Sequence, residues 1–135
     1  MKKRILYFLL MQFYLMGCSK TDCSELKYEN GITTLYGKLF TGKCHEYYLS
    51  GQIRSEQEYK NGKDHGIWTF YHPAEIIRTS GKFKMGSRIG TWKYYFNDGG
   101  LWKVNNYDSL GNKTGKWITY DRNQDIESIV TLKQN

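Results

Sequence analysis

A block of residues returns about every 24 positions along this chain, and this period constrains the fold more than any other feature. The full copies are Tyr59, Gly62, Gly66, Trp68 and Tyr71, then Phe83, Gly86, Gly90, Trp92 and Tyr95, then Tyr107, Gly111, Gly115, Trp117 and Tyr120. The third copy carries a one-residue insertion near Leu110. An imperfect earlier copy begins at Tyr36, with Cys44 in the tryptophan slot and Tyr47 in the tyrosine slot. A fixed period of this length predicts stacked small units rather than one folded-in core.

Each unit has the composition of two strands joined by turns. Segments 66–72 and 90–96 are short, aromatic and rich in strand formers, and segments 76–84 and 101–107 are the expected return strands. Asparagine and glycine pairs supply the turns between them, and Gly81 and Gly86 are both expected to be turn glycines. The sequence therefore predicts an all-β fold, an antiparallel β-hairpin repeat forming a single-sheet meander or solenoid. The four predicted repeats are 36–58, 59–82, 83–106 and 107–132.

The N-terminus has the composition of a cleaved export signal. Lys2, Lys3 and Arg4 precede an apolar run over 5–16 that is too short to span a bilayer as a helix. The run ends in Gly17 and Cys18 and resembles the bacterial lipobox, which implies a lipoprotein signal peptide over 1–17 and acylation of Cys18. The alternative is a hydrophobic N-terminal helix followed by a chance Gly-Cys pair. Residues 18–35 would then be a lipidated tether and capping segment.

Two further cysteines, Cys23 and Cys44, remain after Cys18. Thiols of an exported protein tend to pair in an oxidising compartment. Since Cys44 stands where later units have tryptophan, a disulfide could replace the missing packing of the first unit. Closing a loop of about 20 residues would stabilise the fold by roughly 3 kcal/mol. Two unpaired, partly buried thiols are the alternative.

Charge and motif content argue against several function classes. The chain has a net charge of +7, and removing Lys2, Lys3 and Arg4 from its 20 basic residues leaves 17 against 13 acidic ones, a net of +4. Acidic and basic side chains interleave in the repeats, so we predict no nucleic-acid binding. The three histidines, His45, His65 and His72, occupy unrelated repeat slots and give no metal-ligand spacing. We expect no cofactor, no metal site and no catalytic residues.

The repeat pattern Tyr-x-x-Gly-x-x-x-Gly-x-Trp-x-x-Tyr resembles the bacterial variant of the MORN repeat, over Tyr36 to about Leu132. Relatives of this kind are labelled YwqK-like antitoxins or MORN repeat lipoproteins. The chain departs from the pattern at Cys44, at Glu75, where a turn glycine is usual, and at Leu110. The resemblance implies a β-hairpin scaffold, and it implies little about activity because the repeats can carry many functions.

The leading hypothesis is a non-catalytic, lipid-anchored sheet in the bacterial cell envelope, on the outer membrane facing the periplasm. It would bind an unknown protein partner or envelope component. The aromatics that could bind are Tyr47, Tyr59, Trp68, Tyr71, Trp92, Tyr95, Tyr107, Trp117 and Tyr120, although the same rings could serve only to hold the sheet together. Two alternatives stay open, an antitoxin or immunity protein that neutralises a periplasmic toxin, and a repeat protein that binds lipid surfaces directly.

Overall fold

The computed structural model describes residues 20–133, which fold almost entirely into β-strands. The strands are β1 (Thr21–Asp22), β2 (Leu26–Glu29), β3 (Ile32–Leu35), β4 (Lys38–Leu39), β5 (Gly42–Tyr47), β6 (Ile53–Lys60), β7 (Lys63–Tyr71), β8 (Ile77–Lys84), β9 (Ser87–Tyr95), β10 (Leu101–Tyr107), β11 (Gly115–Tyr120) and β12 (Ile126–Leu132). One short 3-10 helix covers Cys23–Glu25. The predicted all-β hairpin-repeat fold is confirmed. The predicted signal peptide and the lipidation site Cys18 lie outside the described residues.

The main sheet has nine strands in the order β1-β5-β6-β7-β8-β9-β10-β11-β12. From β5 onward every strand pairs antiparallel with the next one in sequence, which makes a meander. The aromatic and glycine repeats stay in step across it; Gly66 of one unit, for example, lies opposite Phe83 of the next. Contacts therefore run mainly between sequence neighbours, as in other repeat proteins.

The prediction of a single sheet needs one correction, because residues 26–39, which include the start of the predicted first repeat, fold into a small sheet of their own. Strands β2, β3 and β4 form a three-stranded antiparallel meander. Its two tight turns place Asn30 and Gly31 at φ 51° and 77°, and Tyr36 and Gly37 at φ 49° and 77°. Successive left-handed residues of this kind make the two-residue turn that suits twisted strands. Ahead of this sheet, β1 joins the main sheet as a parallel neighbour of β5.

A disulfide joins this N-terminal cap to the first repeat. Cys23 and Cys44 are bonded across 21 residues of sequence, with a Cα to Cα separation of 5.0 Å. Cys44 is fully buried, and it packs with Phe40 and Tyr59 in the core beneath the cap. The bridge thus lies where the later units have a tryptophan side chain.

Hairpin tips connect each unit to the one before it. The turn between β6 and β7 is formed by Asn61 and Gly62, and the Gly62 N–H donates to the Phe40 carbonyl at 2.8 Å. One repeat later, the Gly86 N–H donates to the Asp64 carbonyl at the same distance. In a free hairpin these backbone groups would bond to water. Here they bond to the preceding unit, so the turns stabilise the stacking of neighbouring units.

The one-residue insertion at Leu110 changes the type of turn. Between β10 and β11, the Gly111 N–H donates to the Asp108 carbonyl, and the Asp108 N–H donates to the Asn112 carbonyl. The same pair of bonds closes the turns at the other ends of the strands. Between β7 and β8, for example, the Glu75 N–H donates to the His72 carbonyl and the His72 N–H donates to the Ile76 carbonyl. The insertion therefore converts a two-residue hairpin into the longer turn already used elsewhere in the chain.

Candidate functional site

A row of aromatic rings runs through one side of the sheet and forms its core. Its ring centroids are separated by 5.6 Å from Phe40 to Tyr59, 5.2 Å from Tyr59 to Trp68, 4.8 Å from Trp68 to Phe83 and 5.0 Å from Phe83 to Trp92. A separate pair, Tyr107 and Trp117, lies further along at 5.5 Å. Tilted and edge-to-face rings at these distances attract one another beyond simple burial. Most of the repeat aromatics in this row are thus engaged in cohesion.

Each of the three repeat tryptophans makes an equivalent hydrogen bond through its indole N–H. The indole N–H of Trp68 donates to the Glu58 carbonyl at 2.8 Å, that of Trp92 to the Lys82 carbonyl at 3.2 Å, and that of Trp117 to the Asn106 carbonyl at 3.0 Å. The acceptors are equivalent positions of successive repeats. A buried indole N–H usually finds such a partner.

Gly81 is not a turn glycine, which corrects the expectation from sequence. It lies inside β8, and a Cβ added there would overlap the Trp92 ring. The equivalent slots in the neighbouring repeats hold Gln57 and Asn105. Trp92 is 1% exposed, while the tryptophans of those repeats are only half-buried. Gly81 therefore supplies the space that lets one repeat tryptophan sink completely into the core.

The repeat tyrosines Tyr47, Tyr71, Tyr95 and Tyr120 each close the first strand of a unit, opposite a bulge in the return strand. The Tyr71 hydroxyl donates to the Glu56 carboxylate at 3.0 Å. Burial, followed by the Glu56 carboxylate, raises the pKa of the Tyr71 hydroxyl. Tyr47 remains 43% exposed. These four positions are therefore divided between sheet contacts and solvent.

An open groove of about 410 Å³ lies where the long turns of neighbouring units meet. Its lining residues are His72, Arg78, Thr79, Tyr94, Tyr95, Phe96, Asn97, Trp102 and Arg122. Phe96 and Trp102 lie 6.1 Å apart, and Trp102 is 41% exposed. Only Tyr95 of this set was among the binding aromatics predicted from sequence. We call this feature the aromatic groove.

Two guanidinium groups border the aromatic groove. Arg122 lies 4.8 Å above the Phe96 ring and forms an ion pair with Asp98 at 3.2 Å. Arg78 lies 5.7 Å above the Phe70 ring. Within residues 20–133, Arg78 makes no ion pair. Stacking on a ring holds each guanidinium in place while leaving donors directed toward solvent.

The groove is built from positions at which the repeats differ. Arg54, Arg78 and Trp102 occupy one repeat slot, so only the last of these units has an aromatic ring there. Such positions lie outside the repeat pattern, which is defined by the residues that the units share. The departure from the repeat at Trp102 is the sequence signal that could have pointed to the groove.

Two of the three histidines, His72 and His45, contact neighbouring strands of the sheet. Tyr48 and His72 are repeat equivalents. The Tyr48 hydroxyl donates to the Tyr71 carbonyl at 2.6 Å, and His72 Nε2 lies 3.2 Å from the Tyr95 carbonyl, which is the equivalent acceptor one unit later. His45 Nε2 lies 3.4 Å from the Glu56 carboxylate. Nothing in residues 20–133 forms a cluster of three or more His, Cys, Asp or Glu that could hold a metal ion.

A second cavity, of about 430 Å³, lies between the cap and the main sheet. Asp64, Glu46, Tyr59 and Trp68 contribute to its walls. Burial raises the pKa of the Asp64 carboxyl, because the charged form loses part of its hydration there. Burial, with the Asp64 and Glu46 charges, likewise raises the pKa of the Tyr59 hydroxyl.

The sequence profile described as MORN repeat variant matches residues 40–61. This match confirms the predicted resemblance to the MORN repeat variant over those residues. A MORN repeat indicates a repeat-based binding module. The match does not distinguish the YwqK-like subgroup.

Two other comparisons add little. No curated protein sequence gives a significant match. Among solved structures, the chain is similar to the one described as "Crystal structure of GtfA/B complex bound to UDP and GlcNAc", with 12% identity and a TM-score of 0.34. That similarity covers 79% of this chain and 23% of the other, and at this TM-score it supports no argument about fold or function.

In the described part of the chain, no helix has the length and apolar character needed to cross a membrane.

Proposed function

We propose that this chain is a non-catalytic, exported lipoprotein that binds an acidic segment of a partner protein in the aromatic groove. One observation carries the proposal: exposed Trp102 lies beside Phe96 while Arg78 has no acidic partner within residues 20–133. Aromatic rings and arginines are the side chains that contribute most to protein interfaces. Since the sheet's cohesion rests on the separate row from Phe40 to Trp92, the groove rings are available for binding.

The charge around the groove favours an acidic partner. Arg78 and Arg122 line it, and Lys103 lies 4.6 Å above the Trp102 ring at its border. Asp98 is close enough to pair with Arg122, and both side chains are exposed. An incoming carboxylate would meet Arg78 without displacing an existing ion pair. Binding of this kind weakens as salt screens the charges.

Export and lipidation of this chain are supported by its first residues. The basic Lys2 to Arg4, the short apolar run and Gly17-Cys18 together have the order of a lipoprotein signal. Acyl chains on Cys18 would hold the sheet at a membrane surface, with about 0.8 kcal/mol for each buried methylene. We expect a labelled fatty acid to be incorporated into the wild-type chain and not into Cys18→Ala. Equal labelling of both would contradict acylation at this residue.

The binding proposal is tested by affinity capture from a bacterial envelope extract. The bait is the full chain, compared with Trp102→Ala, Arg78→Ala and, as a matched control, Leu49→Ala, which removes an exposed apolar side chain far from the groove in sequence. We expect one stoichiometric protein with the wild type and the control, and at least about tenfold less with either groove variant, since central interface residues dominate binding. Equal capture by all four chains would overturn the groove as the site.

The identity of the captured protein distinguishes two forms of the same proposal. A toxin whose activity is blocked by the chain would make it a periplasmic immunity protein. A resident envelope protein would make it an assembly platform.

A further inference from the structure

The two ends of the main sheet differ. At the N-terminal end, the short strand β1 covers β5, and the Cys23–Cys44 disulfide fixes the cap there. At the C-terminal end, β12 pairs with β11 on one side only, and no other described strand pairs with its outer edge. The equivalent return strands β6, β8 and β10 are paired on both sides. An unpaired edge offers a row of free N–H and C=O groups to another strand.

Strand β12 lacks the features that usually protect an edge. Its sequence, Ile-Glu-Ser-Ile-Val-Thr-Leu, contains no proline or lysine and a single charged residue, Glu127. Ile126, Ile129 and Val130 are 56%, 48% and 55% exposed. Glu127 is the bulged residue of β12 and has no partner in β11; the same bulge recurs in every unit, so it belongs to the repeat and leaves residues 128–132 regular. Such a strand is prone to pair with another strand.

We propose that β12 pairs antiparallel with β12 of a second copy of this chain, with Val130 on the two-fold axis. In this register Ser128 lies opposite Leu132, and Ile129 lies opposite Thr131. The only charged residue of the strand, Glu127, then lies opposite Lys133 of the second copy, and the symmetry repeats this pair at the other end. Opposite charges in directly facing positions stabilise a strand pair. Neither Glu127 nor Lys133 makes an ion pair elsewhere in residues 20–133.

The other edges of the described structure are less suited to pairing. Strands β1 and β4 have two residues each. Strand β2 has four, of which Lys27 and Glu29 are charged and already pair with each other at 3.0 Å. A head-to-tail fibre would need one of these edges to accept β12. Pairing of β12 with itself closes after two copies, because both identical edges are then used.

The contact is small, so we expect a weak dimer. Stable interfaces bury about 1,200–2,000 Å², and a single strand edge contributes less, which places this contact among weak, transient interfaces. Acyl anchoring of both copies in one membrane would raise their local concentration. The pairing does not depend on the aromatic groove, and its failure would leave the binding proposal unaffected.

Disulfide trapping in cells that express the full chain tests this register. Val130→Cys places two thiols face to face across the two-fold axis, whereas Leu49→Cys, an exposed control, faces no copy of itself. After a membrane-permeable oxidant, we expect a dimer band on a non-reducing gel for Val130→Cys and none for Leu49→Cys. Absence of a Val130→Cys dimer, in protein whose circular dichroism matches the wild type, would overturn the proposal, as would equal dimer from both variants.

A charge exchange in the Val130→Cys background separates specific pairing from random collision. Glu127→Lys turns both facing pairs into lysine pairs, and we expect it to lower the dimer fraction roughly tenfold at limiting concentration. Adding Lys133→Glu restores opposite charges, now with lysine at position 127 and glutamate at position 133, and we expect the dimer to return. An unchanged dimer fraction in Glu127→Lys, or no recovery in the double exchange, would contradict the register. Pairing with a different partner strand would appear as an adduct of another mass and would also overturn the second copy as occupant.

Discussion

Replacing Gly81 by alanine tests whether the aromatic row is what holds the sheet together. The new Cβ would overlap the Trp92 ring, and the backbone of β8 is fixed on both sides by β7 and β9. The ring must therefore lift away from the sheet. The half-buried Trp68 shows the position that such a ring adopts when the slot below it holds a side chain.

The expected cost of Gly81→Ala follows from that displacement. A tryptophan buries up to about 250 Å², and losing roughly a fifth of it at about 25 cal/mol per Å² costs about 1.3 kcal/mol. Weakening the hydrogen bond from the Trp92 indole to the Lys82 carbonyl adds about 1 kcal/mol. The smaller entropy of the unfolded alanine chain returns roughly 0.7 kcal/mol. We expect the free energy of unfolding to fall by about 1.5 kcal/mol.

Urea unfolding followed by circular dichroism measures this change, and tryptophan fluorescence reports the exposure of the ring. The control is Trp92→Ala, which removes the ring atoms Cγ, Cδ2 and Cε2 that the new methyl group would meet. We expect Gly81→Ala to cost little or nothing in that background, which gives a coupling energy of about 1 kcal/mol or more between the two sites. Full stability of Gly81→Ala in the otherwise wild-type chain, with unchanged fluorescence, would refute the reasoning.

Three further predictions concern stability. Cys23→Ser should lower the free energy of unfolding by about 3 kcal/mol, since the bridge closes a 21-residue separation, and the difference from the wild type should vanish when both are unfolded in reductant. Glu75→Gly should raise the melting temperature and the free energy of unfolding, the latter by about 0.5–1 kcal/mol, because Glu75 has a left-handed φ of 61° where the equivalent Gly99 has 90°. A lower melting temperature would show that the glutamate is not strained. Asp64→Asn should stabilise the fold at neutral pH. A carboxyl whose pKa is raised by burial costs stability once it is ionised, so the gain over the wild type should disappear as the pH falls below the ordinary value of 3.8, and a gain that persists in acid would contradict this cause.

The repeat period was sufficient to predict the hairpins, because the residues that the units share make the same backbone contacts in successive copies. The turn glycines supply left-handed backbone, and the tryptophans bond to a carbonyl about ten residues back. The same reasoning misplaced Gly81, since its cause is the Trp92 ring on a neighbouring strand. Contacts of this kind depend on register, and the period alone does not reveal them.

The separate cap sheet could not be predicted from the sequence either. Asn30-Gly31 and Tyr36-Gly37 lie close enough together to make two hairpins, but only the first contains the asparagine that marks a tight turn in sequence. The aromatic groove was missed for another reason. It is formed by side chains such as Arg78 and Trp102 that differ between units. The repeat pattern contains only residues that the units share, so these side chains are not part of it.

Photo-crosslinking from position 102 is the most direct test of the claim that the groove binds a partner protein. The full chain would carry benzoylphenylalanine at position 102 or, as a control, at position 49, and would be irradiated in living cells. We predict one protein adduct of discrete mass from position 102 and none from position 49, with the yield reduced by Arg78→Ala. No adduct from position 102, or the same adducts from both positions, would contradict the account.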